Sequence, residues 1–417
     1  MSFWRIVLKS LKYHRFSNSL AAISIAMGIA LLVAVYSFKE QSQNTFTQAG
    51  IGVDAILAPK GSPLQIVLNA IYHLEDMPGK IKWTYFKEVQ KERIVSQAIP
   101  FVVGHSYGGV RVNAIDVKFL TDFEYMPQKT FSFSEEKGAK GRPFENPDEA
   151  VAGWAAAKKL NIRLGQTFNP VCGVQDNDPV HKTEHITFVG ILAPTGTPHD
   201  RAIYIPIESF YGLEGHPQET VIMGKEEQYR EISGAYLKIK RIRKGAIHPG
   251  IQDLKFAISQ SEHSQLVVPA EVMPKLQNII GWVDRVLVAI AIMLTVLASL
   301  FLFFSLLQSL REMRRDLALF RALGATRKSV MGLVIFEALI ISLLGGLLGL
   351  ALGHWLISLG AHFIKIETGV GFTAGYLSTA DWLIIPGTVL LGLFAGLVPG
   401  IQAYRLGVLK NLSPVSG

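Results

Sequence analysis

Four long apolar blocks interrupt an otherwise mixed sequence, and they fix how the chain divides. The first, Asn18–Phe38, runs 21 residues without a charge, matching the roughly 20 that a helix needs to cross the hydrocarbon core. The second is apolar from Val286 to Leu310, the third spans Val330–Leu359 and the fourth Trp382–Tyr404. A secretory h-region is only about 7–15 residues long and ends at a small-residue cleavage site. The first block is longer and ends in YSFKEQSQ, so it reads as an uncleaved anchor. Trp382 and Tyr404 stand where amphipathic rings settle at the two interfaces.

Between the first two blocks the periodicity changes. FKEQSQNTFTQAG continues the first helix as a stalk, and VDAILAP reads as a strand. GSPLQIVLNAIYHL has a helix start, with Ser62 placed to cap it and Pro63 at N1. Leu64, Val67, Leu68 and Ile71 then fall on one face, which reads as core packing. FVVGHSYGGVRVNAIDV alternates like paired strands, and DEAVAGWAAAKKLNI reads as a helix. HITFVGILA, RAIYIPI and the basic SGAYLKIKRIRKG read as strands, and GIQDLKFAISQ as a helix. The expected fold is therefore four transmembrane α-helices with a large α+β extracytoplasmic domain, in two lobes, between the first and second spans.

Composition agrees, since 49% of the residues are hydrophobic. Charge sets the orientation. Twelve lysines and arginines lie in the leader, the 311–329 loop and the tail, against Lys365 alone in the 360–381 loop. The positive-inside bias then puts both termini and the 311–329 loop in the cytoplasm. Residues 39–285 hold 28 basic and 28 acidic side chains, so the large domain is neutral and nucleic-acid binding is not expected. The expected layout is a cytoplasmic amphipathic leader 1–17, spans at 18–38, 278–310, 330–359 and 382–404, a domain with stalk at 39–277, a coupling helix and loop at 311–329, a short loop at 360–381 and a tail at 405–417.

Several motifs tempt and fail on context. GHSYG matches the nucleophile elbow around Ser106, but that motif needs a helix after the serine, and GVRVNAIDV alternates like a strand. A glycine-rich hairpin turn is the better reading. HKTEH places His181 and His185 four apart around Glu184, yet on a strand such residues lie about 13 Å apart, so they read as solvated loop histidines. The cluster Lys238, Lys240, Arg241, Arg243 and Lys244 reads as a solvated face or a guarded edge strand. A lone Cys172 excludes a disulfide within the chain and cysteine-rich zinc sites. No G-x-x-x-x-G-K-[ST] occurs, so no P-loop hydrolyses ATP here.

The spans carry stronger signals. Gly345, Gly349 and Gly353 form one ladder of close-approach positions, and Gly392, Gly396 and Gly400 another. They serve packing within one chain or, alternatively, a dimer seam. Pro399 is placed to kink the last turn. Glu337 is an intramembrane carboxylate, a functional candidate by default. LREMRRDLALFRALGATRKSV, Leu310–Val330, sits between the second and third spans. Met313, Leu317 and Phe320 share a face, with Leu319 and Leu323 beside them. Gly324 suits a helix stop and Thr326 a cap for the third span.

REMRRDLALFRALGATRKSV followed by FEALIISLLGGLLGLALG resembles the FtsX-like permease domain, and GLVPGIQAYRLGVLKNLSPV resembles its closing pattern. FVGILAPTGTPHDRAIYIPIESFYG is similar to the MacB-like periplasmic core domain. The resemblance implies the permease subunit of an ABC transporter of the MacB/LolC-LolE/FtsX type in the inner membrane. It implies no catalysis in this chain, with ATP and Mg bound by a separate dimeric ATPase. It also implies a second permease copy, a homodimer, and a periplasmic adaptor or substrate-delivery protein. Leu310–Leu323 would be the coupling helix, with Met313, Leu317, Phe320, Arg321 and Leu323 contacting the ATPase. The function expected is mechanotransmission for export or extraction of an envelope cargo. The alternative is an FtsX-like signalling permease that activates a periplasmic partner. The stretch LAPKGSPLQIVLNAIYHLEDMPGKI stands outside what the resemblance accounts for.

Overall fold

The computed structural model describes residues 3–49, 52–136, 139–173, 185–212, 230–242, 246–368, 375–378 and 381–406. The chain forms two compact units. Residues 1–41, 280–361 and 373–417 make the membrane unit, and residues 42–279 with 362–372 make the interspan domain.

Helices α1 (Phe3–Tyr13) and α2 (Arg15–Ala49) come first. α2 runs past its apolar stretch to Ala49. The interspan domain is built on one mixed ten-stranded sheet. Its strands are β1 (Ala55–Pro59), β2 (Val95–Tyr107), β3 (Val110–Ile115), β4 (Glu149–Ala152) and β5 (Thr167–Phe168). They continue with β6 (Val171–Cys172), β7 (Ile186–Ile191), β8 (Ile203–Pro206), β9 (Gly234–Ile239) and β10 (Ser264–Val267). The spatial order is β5-β7-β4-β8-β3-β2-β9-β1-β10, with β6 paired to β2. Pairing is antiparallel except between β4 and β7 and between β3 and β8.

A sheet covered on both faces needs strands that are apolar throughout, and β1 is buried at every position. Ala55 and Leu57 join one apolar layer with Ala235 and Leu237, while Ile56 and Ala58 join the other with Tyr236 and Val267. On the second face lie α3 (Pro63–Ala70) and α5 (Lys118–Thr121); on the first lie α4 (Trp83–Gln90), α6 (Trp154–Leu160), α7 (Ile207–Gly212) and α8 (Ile251–Ser259). α3 is the core-packed helix expected, with Pro63 at N1, although the Ser62 side chain makes no capping bond.

Three expectations change here. One continuous sheet replaces two lobes. Glu149–Ala152 is a strand rather than the start of a helix, because its Glu-Ala-Val-Ala run fills a fully buried slot between β7 and β8. The basic strand is not an edge: β9 lies between β2 and β1, and its lysines sit at one end. There Arg241 pairs with Asp54 at 2.7 Å, and Lys240 donates to the Arg93 carbonyl. The hairpin reading of GHSYG holds: Ser106 lies in β2, and the chain turns at Gly108 and Gly109 and returns as β3. His181, Glu184, Arg243 and Lys244 lie outside the described residues.

The membrane unit continues with α9 (Pro269–Glu312), α10 (Arg314–Ala322), α11 (Arg327–Thr368) and α12 (Asp381–Tyr404). Among the described residues, α2, α9, α11 and α12 are long and apolar enough to cross a membrane, over Arg15–Gln41, Gly281–Glu312, Arg327–Ala361 and Asp381–Tyr404. Both glycine ladders are consumed within the chain. A Cβ on Gly345 or Gly349 would come within 2.9 or 2.8 Å of the Ala22 or Ala26 carbonyl oxygen of α2, and one on Gly353 within 2.6 Å of the Val33 Cβ. Gly392, Gly396 and Gly400 of α12 abut Ala338 and Ile335 of α11 in the same way. α12 continues past Pro399 to Tyr404.

Candidate functional site

The charged segment between the second and third spans is held at both ends by local signals. α9 runs to Glu312, Met313 leaves the helical region with ψ near 3°, and α10 follows. Leu310–Leu323 is thus a bent pair of helical pieces rather than one helix. Gly324, at φ 101°, ends α10. The Ala325 amide donates to the Phe320 carbonyl and the Gly324 amide to Arg321, the paired bonds of a left-handed helix stop. Thr326 Oγ1 then accepts from the Ser329 amide at 3.2 Å and caps α11.

The faces of α10 are not the ones expected. Leu317 is only 1% exposed. It packs with Val7, Leu310, Val330, Leu333, Val334 and Ala403, and Met313 and Phe320 lean on the same cluster. Arg321 donates to the Leu406 carbonyl. Four of the five candidate contacts therefore face this chain's own membrane unit. The fifth, Leu323, is 85% exposed. Arg314, Arg315, Asp316 and Leu319 share the outer surface with it. An amphipathic helix buries its stripe in the nearest apolar surface, and here that is the end of its own bundle.

Beside this segment lies Glu337, 2% exposed. Ser10 Oγ donates to its two carboxylate oxygens at 3.2 and 3.1 Å, and Asn18 Nδ2 donates at 3.3 Å. Ser10 Oγ also lies 3.5 Å from the Met313 sulfur. His14 lies 3.4 Å from Glu312 at the end of α9. One intramembrane carboxylate thereby ties α1 and α2 to α11 at the α9–α10 bend. The sequence marks Glu337 by its cost, but the donors are invisible to any local pattern.

The interspan domain holds a pair that the motifs missed. His73, at φ 55°, ends the turn after α3. Its Nδ1 accepts from Asn113 Nδ2 at 3.0 Å, while its Nε2 meets no partner among the described residues. Its ring lies 5.9 Å from that of His199, which Phe119, Phe123 and Phe131 surround. Burial pushes both imidazoles down, His199 to about 4. His73 lies well below its ordinary value, with His199, Arg201 and Arg111 adding repulsion. No three His, Cys, Asp or Glu side chains among the described residues converge as a metal site.

Two family models match. The FtsX-like permease C-terminal model covers residues 288–408, and the MacB-like periplasmic core domain model covers 19–239. The chain belongs to the FtsX/MacB type of ABC transporter permease. An uncharacterized ABC transporter permease of this kind from Methanocaldococcus jannaschii, MJ1507, is 22% identical over 97% of this chain and 94% of that protein. The pyoverdine export ATP-binding/permease protein PvdT of Pseudomonas syringae is 21% identical over 98% of this chain and 58% of that protein. Among solved structures, the periplasmic region of MacB from Actinobacillus actinomycetemcomitans is 12% identical, with a TM-score of 0.33 over 55% of this chain and 95% of that one. The FtsX-like match contains the α9–α10 bend, Glu337 and both ladders. The MacB-like match runs through 57–82, the stretch that stood apart in the sequence, and includes both buried histidines.

Proposed function

We propose that this permease converts ATP hydrolysis by a separate ABC ATPase dimer into motion of its interspan domain, for export or extraction of an envelope cargo. ATP and Mg are bound by that partner. The chain works as a homodimer in the inner membrane, with its termini and α10 in the cytoplasm and the interspan domain in the periplasm, where an adaptor or substrate-delivery protein meets it. One observation carries the reading. α9 is a single helix of 44 residues, about 66 Å at 1.5 Å per residue, joining the bend at Met313 to the strand β10. A push on α10 has one continuous helix through which to travel, with Pro274 the single proline in its interior, near the β10 end.

The exposed surface of α10 supports a docking face for that ATPase. Leu319 and Leu323 supply apolar contact, and Arg315 supplies a rim charge. Met313, Leu317, Phe320 and Arg321 transmit the contact inward. Replacing Leu323 with Asp, alone or with Leu319→Asp, should abolish co-purification of the ATPase from membranes while leaving insertion and thermal stability unchanged. Full recovery of the ATPase with the double variant would refute this docking face. Phe320→Asp is the poorer test, because Phe320 supports the fold.

A further inference from the structure

The first span has an outward stripe that changes chemistry along its length. The α-helical hydrogen bonding continues through the junction of α1 and α2, with His14 N donating to the Ser10 carbonyl at 3.1 Å and Asn18 N to the His14 carbonyl at 3.0 Å. Steps of three and four residues therefore stay on one face across both helices. On that face Phe16, Leu20, Ile23 and Met27 are exposed large apolar side chains of the span. The same stripe continues backward through Lys12, Lys9 and Arg5, all exposed. Tyr13, beside it, is 80% exposed and Phe16 is 83% exposed. The opposite face carries Val7, Ser10, Asn18, Ala21 and Ile25, all buried. No acidic residue occurs before Glu40.

A face that is apolar up to Phe16 and basic beyond it crosses the boundary between acyl chains and headgroups at that residue. Exposed aromatic rings settle at such a boundary. The basic stem residues reach the phosphate layer beyond it, where an anionic surface attracts lysine and arginine. We infer that Arg5, Lys9 and Lys12 form a binding stripe for anionic phospholipid headgroups, with Tyr13 and Phe16 seated at its apolar edge. The stripe grips lipid on one side of α1, while Ser10 on the other side holds Glu337. Lipid occupancy and the Glu337 contact thus act on one rigid helix.

The test uses the full chain in nanodiscs of phosphatidylcholine with one third phosphatidylglycerol, released gently and read by native mass spectrometry. Phosphatidylglycerol should be enriched among the lipids retained by the unaltered protein. The triple variant R5Q/K9Q/K12Q should lose that enrichment by at least about fivefold. K9R/K12R should retain it, which separates charge from misfolding. R314Q/R315Q/R327Q removes the same charge from the α10 region and should lose much less. An equal loss there would mean diffuse charge rather than a built stripe and would overturn the inference. Unchanged enrichment in the triple variant would overturn it too, as would an unchanged lipid count with loss of a co-purifying protein.

Discussion

Two neutral imidazoles, His73 and His199, sit inside the interspan domain, where a proton is most costly. Their folded values lie below the unfolded value of about 6.5, so between those limits the unfolded chain binds more protons. Their contribution is whole above pH 6.5 and is lost as pH falls toward the folded values, about 4 for His199. At pH 5, His199 alone should remove on the order of 2 kcal/mol. Unfolding of the domain followed by tryptophan fluorescence should show a midpoint falling steeply from pH 7 to pH 5. His199→Phe, which fits among Phe119, Phe123 and Phe131, should flatten that slope, and an unchanged slope would exclude His199 as its source. Glu149 acts in a separate window. Arg142 holds its carboxyl at about 2, so its stabilisation is lost only as pH falls below about 4.5 toward 2. In the membrane unit, Glu337→Ala would remove the charged acceptor that Ser10 and Asn18 share, leaving only the Met313 sulfur for Ser10 and the Leu11 carbonyl for Asn18, at a cost of roughly 1–3 kcal/mol. Trypsin should then cut the detergent-solubilised chain at Lys9 and Lys12 faster than the unaltered protein.

Among the elements, the glycine ladders and α10 show how far local pattern reaches. Gly324 and Thr326 could be placed from sequence because a helix stop and a cap are satisfied within a few residues. The ladders announce close approach but not the partner, and the partners turn out to be α2 and α11 of the same chain. Gly349→Ile would drive a side chain into the Ala26 carbonyl. The expected result is loss of folded protein, seen as a lowered melting temperature and poor recovery from membranes. A stable, monodisperse monomer would instead restore the dimer-seam reading. Met313, Leu317 and Phe320 share a face in the sequence, and periodicity identifies a face without saying what covers it. That depended on Val7, Val330 and Ala403, which come from three other helices.

At the level of the whole chain, the four spans and the family were legible because each rests on composition or pattern over tens of residues. Sheet order was not, since β1 pairs with β9 and β10, about two hundred positions later. The same holds for the Ser10–Glu337 bond, which joins residues 327 apart. Burial of all four positions of β4 also removed the alternation that would have told strand from helix at Glu149–Ala152. The chain's path through this sheet has a mechanical consequence. α2 leads into β1, and β10 leads out to α9, and these two strands are antiparallel neighbours in register from Ile56–Val267 to Pro59–Ser264. Both helices therefore attach at the same end of one strand pair, with β10 on the sheet's rim. A force that parts the helices meets those bonds in series, like a zip opened from its tab, instead of loading them all together in shear. Peeling of this kind takes far less force than shear, and under the proposed function it is the route by which motion of the spans would reach the sheet. If the proposed ATP-driven export holds, cysteines at Ala58 and Gln265, oxidised across the pair, should block it in vesicles reconstituted with the ATPase and reduction should restore it; undiminished export would show that the rim stays shut.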